Sequence, residues 1–191
     1  MENHLKKIFS ISVTGHRFIE NNRNLVDSVR EVLTGIIEDH YGFDIFLYSP
    51  LAEGSDQLIA LVAQELEEIS LIVPMPLPVE TYLQDFESRA GKANFDTLLK
   101  SALKIVMLPD EKNRQFAYHN LGNYLVKQCD LLIAVWNGEY SEKTGGTGEV
   151  VANALRAGKP VYWIYSDNKK MGIENKLREH KFEGEIQLLN L

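Results

Sequence analysis

The chain has 191 residues, 45% of them apolar, a single cysteine and a formal charge of −7 with an isoelectric point near 5.3. Its length fits a single domain over residues 1–191 with 166–191 as a C-terminal extension, and its apolar share supports a hydrophobic core. The acidic balance argues against a nucleic-acid backbone as partner, and Cys129 alone can form no intrachain disulfide. Neither a signal-peptide core nor an apolar run of the roughly 18–20 residues that a membrane helix needs is present, so the expected location is the cytoplasm, away from membranes.

Ile8 to Val13 is rich in β-formers and reads as a strand ended by Thr14-Gly15-His16-Arg17. From Asn24 to Asp39, apolar residues at 25, 29, 32, 33, 36 and 37 give one helical face, stopped near Gly42. Asp44 to Ser49 is a second strand, Pro50 to Gly54 a turn, and Asp56 to about Glu67 a helix that Ser55 can cap. Ile69 to Val73 is a third strand, and Pro74, Pro76 and Pro78 break any helix or central strand beyond it. Glu80 to Phe86 reads as a short helical turn, Phe95 to Ala102 as a helix and Lys104 to Leu108 as a short strand. After the polar loop 110–115, Phe116 to Gln128 is helical. Leu131 to Trp136 is apolar without alternation, as in a strand covered on both faces. Gly146 to Ala157 is a helix closed by Gly158, and Val161 to Tyr165 a further strand. The polar tail holds a short helix near 173–180 and a weak strand at 185–189.

Strands alternating with helices predict a Rossmann-like α/β fold, a doubly wound, mostly parallel sheet with helices on both faces. Ligands of such sheets sit at the carboxyl ends of the strands, where strand order reverses. Three loops carry suitable chemistry. In the first, Gly15 permits close backbone approach, His16 titrates and Arg17 can grip a phosphate with two parallel bonds, although an ordinary turn explains the tetrapeptide equally well. In the second, Glu53, Gly54, Ser55 and Asp56 open a helix with backbone donors and with acids suited to ribose hydroxyls, while helix capping alone also explains Ser55 and Asp56. In the third, Gly145, Gly146, Thr147 and Gly148 precede a helix, a form that suits phosphate, with Trp136 as a flat wall and Asn137 as an amide. That loop is not Gly-x-Gly-x-x-Gly and lacks the Walker lysine. Asp85, Glu87 and Arg89 read as surface charges, and Cys129 as an inert buried thiol; Tyr118 and His119 on the late helix can face the pocket, but packing in the core or at the surface is the stronger reading. The five histidines show no metal-ligand spacing, so neither a metal nor a resident cofactor is expected.

Taken together, Val13 to Arg17, Ser49 to Asp56, Cys129 to Trp136 and Gly146 to Val151 resemble, in order and context, the Smf/DprA–LOG or SLOG superfamily of Rossmann-like nucleotide-binding domains. The likeness spans roughly Ile8 to Ile164 and includes Pro74-Met75-Pro76-Leu77-Pro78 and Asp85-Phe86, similar to a proline-rich segment of bacterial nucleotide-sensing members. It implies a site for nucleotides or nucleotide-derived small molecules. The superfamily's phosphoribohydrolases place a catalytic glutamate in Pro-Gly-Gly-x-Gly-Thr-x-Glu-Glu. Matching its glycines to Gly145 and Gly146 puts Thr144 at the proline, Glu149 at the threonine, and Val151 and Ala152 at the two glutamates. Glu149 then lies two residues early and is the candidate catalytic residue of this chain. Nucleoside deoxyribosyltransferases are similar in style, with a glutamate nucleophile before an alanine-rich helix.

Two functions stay open at this level. One is a sensor module that captures a nucleotide derivative and signals through a second copy or an effector partner. The other is an enzyme that cleaves or transfers an N-glycosidic bond in nucleoside monophosphates or nucleosides, with Glu149 as nucleophile or base and Arg17 on the 5′-phosphate.

Overall fold

The apolar run Leu131–Trp136 is a strand buried at all six positions, the burial expected of an unalternating run between two helical layers. The computed structural model describes residues 6–20, 22–109, 111, 113–140, 145–177 and 180–190. In chain order the elements are β1 (Ile8–Gly15), α1 (Arg23–Asp39), β2 (Asp44–Tyr48), α2 (Ser55–Gln64), β3 (Ile69–Met75), α3 (Val79–Tyr82) with a 3-10 turn at Leu83–Asp85, and α4 (Arg89–Ser101). Next come β4 (Lys104–Met107), α5 (Arg114–Gln128), β5 (Leu131–Trp136), α6 (Thr147–Arg156), β6 (Val161–Tyr165) and β7 (Ile186–Leu189).

Among the described residues the strands form one seven-stranded sheet in the order β4-β3-β2-β1-β5-β6-β7. Neighbours from β4 through β6 are parallel, and β7 joins antiparallel, with Ile186 opposite Ile164. Helix α2 packs between α1 and α4, α5 packs on α6, and both α2 and α5 reach β1. The fold is therefore a doubly wound, Rossmann-like α/β sheet with helices on both faces. The larger core cluster joins α1, α2 and α4 to the sheet, and a smaller one joins α6 to β5 and β6 around Trp136.

Several boundaries differ from the sequence reading for local reasons. β1 runs on to Gly15, because Thr14 and Gly15 pair with Ala134 and Val135 of β5. β3 runs through Pro74 to Met75. Its pairing with β2 ends at Ile72, so the missing N–H of Pro74 leaves no β2 partner unsatisfied, while Val106 pairs on the other side. α4 begins six residues early, at Arg89, because the Ser88 hydroxyl caps it by accepting from the Gly91 N–H at 2.8 Å. α5 likewise starts at Arg114 behind the cap Asn113. Of the helix expected near 173–180, residues 173–175 take no regular structure and 178–179 lie outside the described residues. The Asn175 side chain instead bonds the Asn168 backbone, accepting from its N–H at 2.7 Å and donating to its carbonyl at 3.1 Å, local bonds that compete with helix.

Candidate functional site

Strand order reverses between β1 and β5, which opens a crevice at their carboxyl ends. An inner cleft of about 90 Å³ lies there, lined by Thr14 and Gly15 of β1, Ala52 and Asp56 around the start of α2, Tyr82 of α3, Tyr118 of α5, and Gly145 and Thr147 at the start of α6. That is room for roughly three waters at about 30 Å³ each, or for one small oxyanion group. Over it opens an outer recess of about 500 Å³, lined by Arg17, Asp85, Arg114, Gln115, Tyr118, Gly145 and Gly146. This second volume falls in the range of small-molecule sites, roughly 300–1,000 Å³. A side groove of about 430 Å³ runs away from Arg17 between Glu53, Leu58, Asn94 and Lys169.

Arg17 lines all three spaces. Its Nη1 donates to the Asp85 backbone carbonyl at 3.3 Å, and its guanidinium lies 5.2 Å from the centre of the Tyr118 ring. Among the described residues no carboxylate forms an ion pair with it. The Asp85 carboxylate is held instead by Arg114 Nε at 3.1 Å and by the Tyr118 hydroxyl. Arg114 also donates to the Thr81 carbonyl at 2.6 Å, which fixes the α3 segment against α5.

The floor of the cleft is acidic and buried. Asp56 is buried at the first turn of α2, and that burial pushes its carboxyl from the usual 3.8 up to about 7, against the opposing pull of Arg17 and of the Ala52 N–H. Tyr82 is fully buried, with edge-on aromatic contacts to Phe86 and Phe95. Its hydroxyl has no hydrogen-bond partner among the described residues. Burial, then the neighbouring Asp56, hold the Tyr82 phenol well above its ordinary value, so it stays protonated.

The turn that delivers Asp56 is tightly specified. Leu51 is fully buried yet sits at φ 59°, a left-handed conformation uncommon for a branched side chain. Its N–H donates to Ser49 Oγ at 3.2 Å and its carbonyl accepts from Gln57 Nε2 at 3.1 Å. Strain of this kind amounts to about 1–3 kcal/mol and persists only where surrounding bonds over-determine the backbone.

The residues expected to bind ligand separate into those that reach these spaces and those that hold the frame. Gly15, Arg17, Asp56, Gly145, Gly146 and Thr147 line the cleft or its recess. Ser55 is not the cap of α2; Gly54 holds that position, at φ 92°. The single Ser55 O–H is shared between the carbonyls of His16 at 2.8 Å and Val135 at 3.2 Å, so it pins α2 to the ends of both β1 and β5. Gly15 answers the same crowding, since a Cβ there would lie 2.4 Å from Ser55 Cβ and from the Val135 carbonyl. Glu53 accepts from the N–H groups of Glu87 at 2.8 Å and Ser88 at 3.0 Å, tying the turn to the start of α4 beside the side groove. Burial raises its pKa less than these bonds and Arg17 lower it, so its carboxyl sits below the ordinary value.

His16, Trp136 and Asn137 lie away from the cleft. His16 Nε2 accepts from the Asn137 N–H at 3.0 Å, and its Nδ1 is 3.4 Å from Asn168 Nδ2. Burial lowers its pKa against the smaller opposing effects of Asn137 and Glu139, which matches a neutral ring. Trp136 is core, edge-on to Tyr140 with centroids 5.2 Å apart. Gly148 packs against that same indole. The carboxylate of Glu149 accepts from the Gly145 N–H and lies 3.1 Å from His119 Nδ1, so it closes the glycine loop from the side. Thr144 lies outside the described residues.

Tyr82, Asp85, Arg114 and Tyr118 escaped the sequence reading as site residues. Asp85 follows the proline-rich segment, which was its one available signal, and it proves a hub for three side chains rather than a surface charge. For Tyr118 the signal is its place on the late helix, from which it can face the pocket, and its ring does line the cleft. Cys129 is buried with its thiol pushed up mainly by that burial, as an inert structural cysteine should be. Among the described residues, no three His, Cys, Asp or Glu side chains converge as a metal site would require. No helix among them is long and apolar enough to cross a membrane.

The chain matches no protein-family model, and no curated protein matches it. Solved structures similar to it include the X-ray structure of TM1055, a structural-genomics target, at 12% identity over 80% of this chain and 72% of that one, with a TM-score of 0.47. Another is the molybdenum cofactor carrier protein from Chlamydomonas reinhardtii, at 18% identity over 83% of this chain and 76% of that one, with a TM-score of 0.42. Both are likenesses of fold alone.

Proposed function

We propose that this chain is a SLOG-type domain that binds a nucleotide or nucleotide-derived small molecule at the carboxyl edge of its sheet and acts as a sensor module. The observation that carries the proposal is Arg17, which borders the inner cleft, the outer recess and the side groove without a carboxylate partner among the described residues. A guanidinium so placed can make charge-assisted bonds to a phosphate. The outer recess is large enough for the sugar and base. Gly145, Gly146 and the start of α6 add a helix N-terminus, which carries no side-chain cap bond and favours negative charge. On this reading residues 1–191 act as one cytoplasmic domain, with 166–191 as its extension, and signal through a second copy or an effector partner.

Thermal melting with a panel of nucleoside mono-, di- and triphosphates, ADP-ribose and cyclic nucleotides tests it. A ligand at 100 times its dissociation constant stabilises the native state by about 2.7 kcal/mol, a shift of several degrees for a chain of this size. That shift is expected for wild type and is lost in Arg17→Gln. No shift with any member at millimolar concentration overturns the proposal.

A second reading, cleavage or transfer at an N-glycosidic bond, draws on the 3.1 Å contact between His119 Nδ1 and Glu149 Oε1. An acid oriented by a neighbouring ring is the arrangement of an activated nucleophile or base. Glu149 would have to exchange its bond from Gly145 for the substrate. Chromatography for free base after incubation with nucleoside monophosphates and nucleosides decides it, with Glu149→Gln as the control.

A further inference from the structure

Two features of the inner cleft are left unused by anion binding at Arg17 alone. One is the Tyr82 hydroxyl, fully buried beside the cleft with no partner among the described residues. An orphaned buried hydroxyl is disfavoured, and a native fold that keeps one gives reason to look for a guest. The other is Asp56, a buried acid lining a space expected to receive an anion. An ionised Asp56 would repel that anion at close range in a low dielectric, whereas a protonated one becomes a hydrogen-bond donor.

We propose that the inner cleft is an oxyanion subsite with a proton-donating floor, in which the Asp56 carboxyl group and the Tyr82 hydroxyl donate to the oxygens that Arg17 grips. The guest is a phosphate-sized oxyanion, free or as the terminal group of a larger ligand, and the cleft volume of about 90 Å³ admits that group and little more. The subsite specifies the anion end of the binding reading above and rests on it.

The groups around this floor fix the sign of its pH response. Arg17 faces Asp56 from the loop after β1 and favours its ionised form. Tyr82 faces it from α3, itself flanked by Tyr118 of α5 and Asp85 of the 3-10 turn. Glu53 lies on the same turn as Asp56 but is occupied by the start of α4. From α6, the cleft meets Thr147 and Val150, while Glu149 is turned to His119. Burial raises the Asp56 pKa to about 7. A bound anion stabilises the acid form further, so binding above pH 7 draws a proton from solvent.

The test uses sulfate, whose charge is constant across this range, and adenosine 5′-monophosphate as the tethered form. Each is titrated calorimetrically into the full chain at pH 8 in two buffers of different ionisation enthalpy. Wild type is expected to take up between about half and one proton per anion bound. Its sulfate affinity should rise as the pH falls from 8.5 to 6.5. Asp56→Asn should bind with no uptake and a flat pH profile. Tyr82→Phe should melt at or above the wild-type temperature when empty, because an orphan hydroxyl is gone, yet bind about tenfold more weakly, the worth of one hydrogen bond. Equal uptake by wild type and Asp56→Asn, or undiminished affinity in Tyr82→Phe, overturns the subsite. Nucleotide binding that sulfate does not compete with, and that takes up no proton, overturns the subsite and leaves the nucleotide reading intact. Sulfate uptake with protons but no nucleotide binding does the reverse, and failure of both anions to bind removes the two together.

Discussion

Replacing Asp56 by asparagine keeps the shape of the side chain and removes its titration. In the folded chain this carboxyl titrates at about 7, against 3.8 for an ordinary aspartate. Between those two values the native state holds a proton that the unfolded chain has released. Stability therefore falls as the pH rises through that window, by about 1.4 kcal/mol per pH unit, and levels off above it. The full span is at most about 4 kcal/mol, a large share of the roughly 5–15 kcal/mol that stabilises a typical domain. Asparagine carries no such term, and its carbonyl oxygen can still accept from the Ala52 N–H that faces Asp56. Urea unfolding of both proteins at pH 5 and pH 8 reads the difference directly. At pH 5 Asp56→Asn should already be the more stable by about 1.5 kcal/mol, and at pH 8 by about 4 kcal/mol, so the gap widens by about 2.5 kcal/mol across the range. A difference between them that stays constant from pH 5 to pH 8, or a variant weaker than wild type at pH 8, would refute the account of a buried neutral acid.

Ser55→Ala removes a hydroxyl shared between the His16 and Val135 carbonyls, which keep their backbone donors, the Ser55 and His16 N–H groups, so urea unfolding should show a loss of about 0.5–1.5 kcal/mol. Gly15→Ala should destabilise by about 3 kcal/mol or prevent folding, because its Cβ would meet Ser55 Cβ and the Val135 carbonyl at 2.4 Å. Circular-dichroism melting checks this, and a fully stable Gly15→Ala would contradict the packing described. Glu53 acts in the opposite sense to Asp56: its lowered pKa contributes stability above the ordinary value of 4.5, and that stability is lost as the pH falls through the folded value. Glu53→Gln should flatten the acid limb of the stability profile, and hydrogen exchange should show faster opening at the start of α4.

The sheet was legible because its central strands carry their burial in their composition. Leu131–Trp136 has no polar residue, and Val161–Tyr165 none either. What hid were the element ends, where a single contact outweighs periodicity. Pro74 reads as a break, yet β2 has already ended where it falls. Arg89 to Lys92 shows no apolar face and contains a glycine, so the helix start rests on the Ser88 cap alone. In the site, the glycines were legible as sites of close approach, but the sequence does not say what approaches. At Gly15 and Gly54 the answer is the chain itself, the latter lying against the Arg17 carbonyl. The three loops were found because each follows a strand, the third across a short loop. Tyr82 and Tyr118 come from helices remote in sequence, and only the folding of α3 and α5 over the crevice turns them into walls.

The left-handed backbone at Leu51 places that position under two demands that no natural side chain meets together. Glycine would relax the dihedral by about 1–3 kcal/mol, but it would empty a fully enclosed spot where losing a leucine side chain forfeits about 2–5 kcal/mol. Any β-branched alternative fills the space and deepens the torsional conflict. The chain thus tolerates a misfit whose every remedy is worse, and the stretch that presents the buried acid has little freedom to drift.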